Sequence, residues 1–248
     1  MEAKDRILVA LDVNDIGELV KHAKELGEHV GGFKIGLEAL LSIGLKPALN
    51  AIKGYGHATE NVFVDAKIKD IPETMRKAVA AVVAHPQVKF VNVHASAGTK
   101  GMRAAAEAKA HAKLLAVTVL TSMNDEDALE VYGGDGVGFP DTFASDRAHK
   151  FALMAAKAGC DGVVCSAREV ANLRLHALGN DFIFVTPGIR PKWSAKNDQE
   201  RVTTPTEAVQ NGSRRLVIGR PILQAKAYGR TPVGACQEIA EEIRQALR

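Results

Sequence analysis

Short apolar, β-branched runs recur eight times along this chain, and longer stretches with helical periodicity separate them. That alternation constrains the fold more than any other feature. The runs are Ile7–Leu11, Gly32–Ile35, Asn61–Val64, Phe90–Val93, Leu114–Val119, Gly162–Cys165, Phe182–Val185 and Leu216–Ile218. Their nearly continuous apolar character is that of strands buried on both faces. Among the intervening stretches, Ile16–Val30 puts Leu19, Val20, Ala23 and Leu26 on one stripe, with Lys21, Lys24 and Glu25 elsewhere. Ala78–Ala84, Arg103–Ala112, Arg147–Ala158, Ala167–Leu178 and Ala235–Leu247 read as helices in the same way. Eight such units in 248 residues predict a closed eight-stranded parallel β/α (TIM) barrel, one domain over residues 1–248. A doubly wound open sheet is the alternative. It would use fewer strands and a Gly-rich first turn, whereas Asp12-Val13-Asn14-Asp15 follows the first strand here.

Composition narrows the function classes. With 46% hydrophobic and 25% charged residues the chain is too apolar for disorder. No run of eighteen apolar residues is present, and the charged start Met1–Arg6 lacks the apolar region of a secretory signal, so no membrane association is expected. A net charge of +3 gives no clustered basic footprint for nucleic acid but suits a small anionic ligand. The three cysteines, Cys160, Cys165 and Cys236, make no disulfide framework and predict a reducing cytoplasm. The eight histidines form no metal-ligand spacing, so no zinc site is expected.

In such a barrel the chemistry sits at the carboxyl ends of the strands. Those ends carry Asp12, Lys34, the run Asp65-Ala66-Lys67-Ile68-Lys69-Asp70, His94, Thr121-Ser122, Thr186-Pro187-Gly188 and Gly219-Arg220. Asp65 and Lys67 are two apart, which on a regular strand puts both side chains on one side, roughly 7 Å apart along the backbone. Joined by Lys34 they would form a row of carboxylates and ammoniums in which each lysine stays protonated. Asp-x-Lys alone would more simply be a structural ion pair. With Asp12, Lys34 and Asp70 added, a site is the better reading. The loops after the seventh and eighth strands, Thr186–Pro191 and Ile218–Pro221, are where β/α barrels often hold phosphate. Gly188 and Gly219 allow close backbone approach, Pro221 suits a helix start, and Arg220 can grip an anion with two parallel bonds. His94 reads as a hydrogen-bonded structural group and Cys165 as core. Lys192–Thr203, containing Trp193, is either a lid or a surface loop, and Ser122–Ser145 reads as an acidic, Gly-rich excursion.

Taken together these residues resemble a known family, the orotidine 5′-monophosphate decarboxylases in their short bacterial form. Asp65-Ala66-Lys67-Ile68-Lys69-Asp70-Ile71-Pro72-Glu73-Thr74 matches the family's Asp-x-Lys-x-x-Asp-Ile-Pro-x-Thr. Ala10–Asp12, Lys34–Gly36, Val93–Ala95, Leu120–Met123, Thr186–Arg190 and Ile218–Pro221 match in order. The resemblance implies a cofactor-free decarboxylase of a nucleotide substrate, acting in pyrimidine biosynthesis as a cytoplasmic homodimer with shared active sites. It implies that Asp12 and Lys34 hold the ribose and that Lys34, Asp65, Lys67 and Asp70 form the charged chain at the reacting carbon. Asp70, Ile71 and Thr74 would come from the second subunit. Ser122 would bind the pyrimidine, Pro187 line its pocket, and Gly219 and Arg220 hold the phosphate, with Arg190 in the adjoining loop. The family's phosphate-gripping Gln after the seventh strand is replaced by Lys192, with Gln199 as the other candidate for that role.

Two rivals stand beside this reading. Hexulose-phosphate synthase and keto-gulonate-phosphate decarboxylase share Asp-x-Lys-x-x-Asp but bind Mg²⁺ and typically carry an acid where Lys34 stands. A non-catalytic phosphate-binding barrel is the second.

Overall fold

The computed structural model describes residues 1–133, 142–175, 181–194 and 202–248. Eight parallel strands, β1 (Ile7–Leu11), β2 (Gly32–Gly36), β3 (Val62–Ile68), β4 (Val88–His94), β5 (Lys113–Val117), β6 (Gly162–Val164), β7 (Ile183–Thr186) and β8 (Arg215–Ile218), close into a barrel in chain order. β1 closes the ring against β8 through the pairs Ile7–Leu216, Leu8–Val217 and Val9–Ile218. Eleven α-helices lie among the described residues. They are α1 (Ile16–Leu26), α2 (Leu37–Ser42), α3 (Leu45–Ile52), α4 (Pro72–Val83), α5 (Gly98–Glu107), α6 (Asp125–Tyr132), α7 (Phe143–Lys157), α8 (Ala167–Leu173), α9 (Pro205–Asn211), α10 (Arg220–Leu223) and α11 (Pro232–Ala246). None is long and apolar enough to cross a membrane.

Strand alternation sorts the apolar side chains. Leu8, Ala10, Phe63, Phe90, Leu115, Val117, Val164, Ile183, Val185 and Val217 fill the barrel interior. Outward-facing residues of β1–β3 and β8 pack under α1, α3, α9 and α11, and those of β4–β7 under α4, α5, α7 and α8. The interior is a packed core and not a pore. Phe63 and Phe90 meet edge to face with centroids 6.3 Å apart, and the Arg215 guanidinium lies 5.7 Å from the Phe90 centroid at the amino-terminal end.

Several element limits differ from the sequence reading. Residues 72–83 are helical because Pro72 occupies the first turn with Glu73, a start signal upstream of Ala78. The expected helix Arg103–Ala112 runs instead from Gly98 to Glu107, and Ala110 takes a positive φ of 47° beyond its end. The acidic excursion contains α6, begun by a reciprocal cap between Asn124 and Asp127. Residues 176–178, read as helix, lie outside the described residues.

Candidate active site

The carboxyl ends of the strands surround one cavity of about 560 Å³. Its wall includes Asp12, Lys34, Asp65, Lys67, Ser122, Pro187, Gly188, Arg190, Gly219 and Arg220, so residues distant in sequence meet there. Phe63, Val117, Val164 and Val217 supply its apolar lining.

One side carries a continuous charged row. Lys34 Nζ lies 2.7 Å from Asp12 Oδ1 and 3.3 Å from Asp65 Oδ2. Lys67 Nζ lies 2.8 Å from Asp65 Oδ1. Lys34 and Asp65 are buried, whereas Asp12 is half exposed and Lys67 one-third exposed. Burial alone would push the Lys34 ammonium down, but Asp65 and Asp12 outweigh it and hold the pKa above the ordinary lysine value. Burial likewise acts to raise Asp65. Lys34 and Lys67, with hydrogen bonds from Lys67 and Asn92, reverse that effect and hold the carboxyl below its ordinary value. The row therefore keeps alternating full charges. Gly36 makes room for it, since a Cβ there would meet Asp12 Oδ1 and Lys34 Nζ at 2.6 Å each.

The local backbone departs from the regular strand assumed for Asp65 and Lys67. Val64 pairs with Val91 but Ile68 with Val93, so four steps on β3 oppose two on β4. Lys67 takes the left-handed conformation, φ 48°, which costs a non-glycine residue about 1–2 kcal/mol. The two side chains still share the cavity, but a bulge places them and not simple alternation. Asn92, fully buried on β4, donates to Asp65 Oδ1 at 2.6 Å and accepts the Lys67 N–H at 2.7 Å. The sequence reading passed over it as an ordinary strand residue. Its signal was a lone amide inside the apolar run Phe90–Val93.

The cavity wall at β7 and β8 is made of turns. Gly188, φ 77°, lets the chain leave β7 sharply. Beyond it the Arg190 N–H donates to the Thr203 carbonyl at 2.9 Å and the Thr203 N–H to the Gly188 carbonyl at 3.2 Å, closing the base of the post-β7 loop. Gly219 and the half-buried Arg220 end β8 and start α10. Leu223 and Gln224, one turn further on, also line the cavity and were not anticipated. Trp193 is half-buried, its ring tilted against Tyr228 with centroids 5.6 Å apart and 4.4 Å under the Arg230 guanidinium, so it anchors the loop base and is no mere surface residue.

Not every expected residue lines this cavity. Asp70, Ile71 and Thr74 are exposed at the top of β3 and the start of α4; Asp70 Oδ1 accepts the Ile71 N–H at 2.7 Å. Ile71 leaves 67% of its surface uncovered. Lys192 is exposed and off the cavity wall, and Gln199 lies outside the described residues. His94 caps the short turn after β4 with its Nδ1 2.8 Å from Ser96 Oγ. Burial, then Lys69 and Lys67, holds its pKa below the ordinary value, so it is neutral at neutral pH. Cys165 is buried in the core, as expected, but it also reaches the cavity wall.

Comparison with known proteins gives one consistent family. The family model described as orotidine 5′-phosphate decarboxylase / HUMPS matches residues 5–234. A Geotalea daltonii protein named orotidine 5′-phosphate decarboxylase is 41% identical over 98% of this chain and 97% of its own. One of the same name from Rhodospirillum rubrum is 42% identical over 96% and 93%. The crystal structure of orotidine 5′-phosphate decarboxylase from Lactobacillus acidophilus superposes with a TM-score of 0.75 at 32% identity, covering 96% of this chain and 98% of that one.

Proposed function

This chain belongs to the orotidine 5′-phosphate decarboxylase / HUMPS family and converts orotidine 5′-monophosphate to uridine 5′-monophosphate in pyrimidine biosynthesis; we propose that it does so with its own side chains alone, by stabilising and then protonating a carbanion at carbon 6. The observation that carries the mechanism is the Lys34–Asp65–Lys67 row lining a cavity whose wall continues past β1 to Gly219 and Arg220 at the end of the adjoining β8. An ammonium already bridges Asp12 and Asp65, where a divalent cation would have to displace Lys34.

Loss of CO₂ from carbon 6 leaves an electron pair in the ring plane, with no adjacent carbonyl to accept it. The fixed positive charge of Lys67 stabilises that pair, and Lys67 Nζ then transfers a proton to carbon 6. Asp65 holds the Lys67 ammonium at 2.8 Å and stays ionised beside the departing carboxylate. Arg220 and Gly219 take the phosphate, Ser122 and Pro187 the pyrimidine, and Asp12 and Lys34 the ribose. Binding energy from the phosphate orders the site around the reacting carbon. Arg190 lines the cavity beside the phosphate end, and Lys192 or Gln199 is the candidate for a further grip on the phosphate.

Asp70, Ile71 and Thr74 act across a homodimer interface, which their exposure and the uncovered Ile71 side chain support. Residues 1–248 work as one catalytic domain. The three buried cysteines, Cys160, Cys165 and Cys236, fit a reducing cytoplasm.

The test is the fall in orotidylate absorbance on mixing with chelator-treated protein. Full turnover is expected. Activity lost with EDTA and restored by Mg²⁺ would replace this mechanism with that of the metal-dependent sugar-phosphate enzymes, and tight nucleotide binding without turnover would favour a binding barrel.

A further inference from the structure

The geometry points to Asn92 as a positioning residue for the decarboxylation, an amide that ties Asp65 and Lys67 into one unit; this rests on the mechanism proposed above. Its Nδ2 donates to Asp65 Oδ1 at 2.6 Å, and its Oδ1 accepts the Lys67 N–H at 2.7 Å. The two contacts fix the amide's orientation, because a carboxylate can only accept and a backbone N–H can only donate. One contact sets the rotation of the Asp65 carboxylate, so that Oδ1 faces Lys67 and Oδ2 faces Lys34. The other holds the left-handed turn, φ 48°, from which the Lys67 ammonium reaches back to Asp65. The β3–β4 ladder cannot supply that bond, because the pairing skips from Val64–Val91 to Ile68–Val93.

The residue type follows from these demands. An aspartate offers no donor at neutral pH, a leucine neither donor nor acceptor, and a serine one short hydroxyl. A lysine would donate, but would cancel the negative charge that Asp65 presents. Asn92 is neutral and so steadies Asp65 without altering the alternation of charge. Its full burial means that water cannot take over either bond without rearrangement.

Asn92→Asp separates this role from simple packing. It keeps the shape and the acceptor for the Lys67 N–H, but sets two carboxyls within hydrogen-bond distance. Facing them are Lys34 on β2 with Asp12 behind it and Lys67 on β3, while His94, two residues along β4, lies within reach of the charges of Lys69 and Lys67. At pH 8 the variant's kcat should fall about 10²-fold, the cost of misplacing the reacting groups. As pH drops, the pair shares one proton, and the introduced carboxyl then donates to Asp65 as the amide did. The ratio of variant to wild-type kcat should therefore rise about tenfold between pH 8 and pH 5.5. Measuring the ratio in a His94→Gln background, for the variant and its Asn92 parent alike, removes any contribution of His94. A flat ratio overturns the inference.

Asn92→Ala decides the matter if the aspartate variant does not fold. Its kcat should fall about 10- to 100-fold at every pH, with the inhibition constant of uridine 5′-monophosphate within about threefold of wild type, since the nucleotide's grips lie elsewhere in the cavity. Wild-type kcat, or an inhibition constant that weakens in parallel with kcat, overturns the positioning role. Failure of the wild-type protein to turn over would instead reject the parent mechanism, so the two failures are distinct.

Discussion

On the β1–β3 side of the cavity, Asp12, Lys34, Asp65 and Lys67 touch one another at 2.7–3.3 Å, and Asn92 clamps the last two from a neighbouring strand. On the β7–β8 side the same cavity is bounded by loop ends. There Gly188 takes a positive φ, a short bridge joins Ile189 to Thr203, and Arg220 sits half-buried at the first position of a four-residue helix. The first side is borne by strands, and its groups hold one another in place. The second is borne by connections, which adapt more readily than strands do. Under the proposed mechanism the contrast matches two tasks. Groups that act on charge developing in the transition state need fixed placement, whereas groups that capture a phosphate gain from being able to close around it.

Lys67→Ala breaks the strand-borne side at its centre and should have the largest effect. Turnover should fall by at least about 10³-fold, combining lost proton transfer with lost electrostatic stabilisation. Affinity for uridine 5′-monophosphate should change little, because the loop-borne side is untouched. Near-normal turnover would make Lys67 a structural residue and erase the distinction between the two sides.

A mixing experiment asks whether the strand-borne side is complete within one chain. Lys67→Ala and Asp70→Asn, each inactive alone, are combined under conditions that exchange subunits. If Asp70 reaches the partner's cavity, a mixed dimer holds one intact site and one site with both lesions. Random pairing in a closed two-fold dimer should then restore activity to about a quarter of wild type per chain. Continued inactivity after verified exchange would place Asp70 in its own chain's site.

Arg220→Ala tests the loop-borne side and should have the smallest effect on the chemical step. A charge-assisted bond to phosphate is worth about 1.5–3 kcal/mol, so KM should rise roughly 10- to 100-fold. The accompanying loss of kcat should be smaller, reflecting whatever part of loop closure that contact drives. The variant's preference for uridine 5′-monophosphate over uridine should narrow by a factor similar to that in KM. An undiminished preference for the phosphorylated ligand would move the phosphate away from Arg220.

The same division governs how much could be read from the sequence. All eight strands were visible, because burial on both faces writes itself as short apolar runs such as Ile7–Leu11 and Phe182–Val185. Asp65 and Lys67 were visible because they share one short motif at a strand end. α2 and α9 were not separately legible, since six or seven residues carry too little periodicity to stand out. Asn92 escaped for a different reason: its importance depends on which β3 residues it faces, and that register is set by the bulge at Lys67. A positive φ at a lysine leaves no mark in composition or spacing. Leu223 and Gln224 were missed because they enter the cavity only through the turn of α10 that follows Arg220.

The packed barrel interior also governs traffic. Below the charged row, Phe63 meets Phe90, and the Arg215 guanidinium lies over the Phe90 ring at the amino-terminal end, tethered to the Asp5 carbonyl. Among the described residues the barrel is thus filled below the cavity, which has its mouth among the carboxyl ends of the strands. Nucleotide arrives through that mouth, and a molecule of gas set free beside Asp65 has to depart through it as well. Whatever narrows the mouth around a held phosphate therefore also meters the escape of CO₂, so admission and exhaust are controlled by one rim.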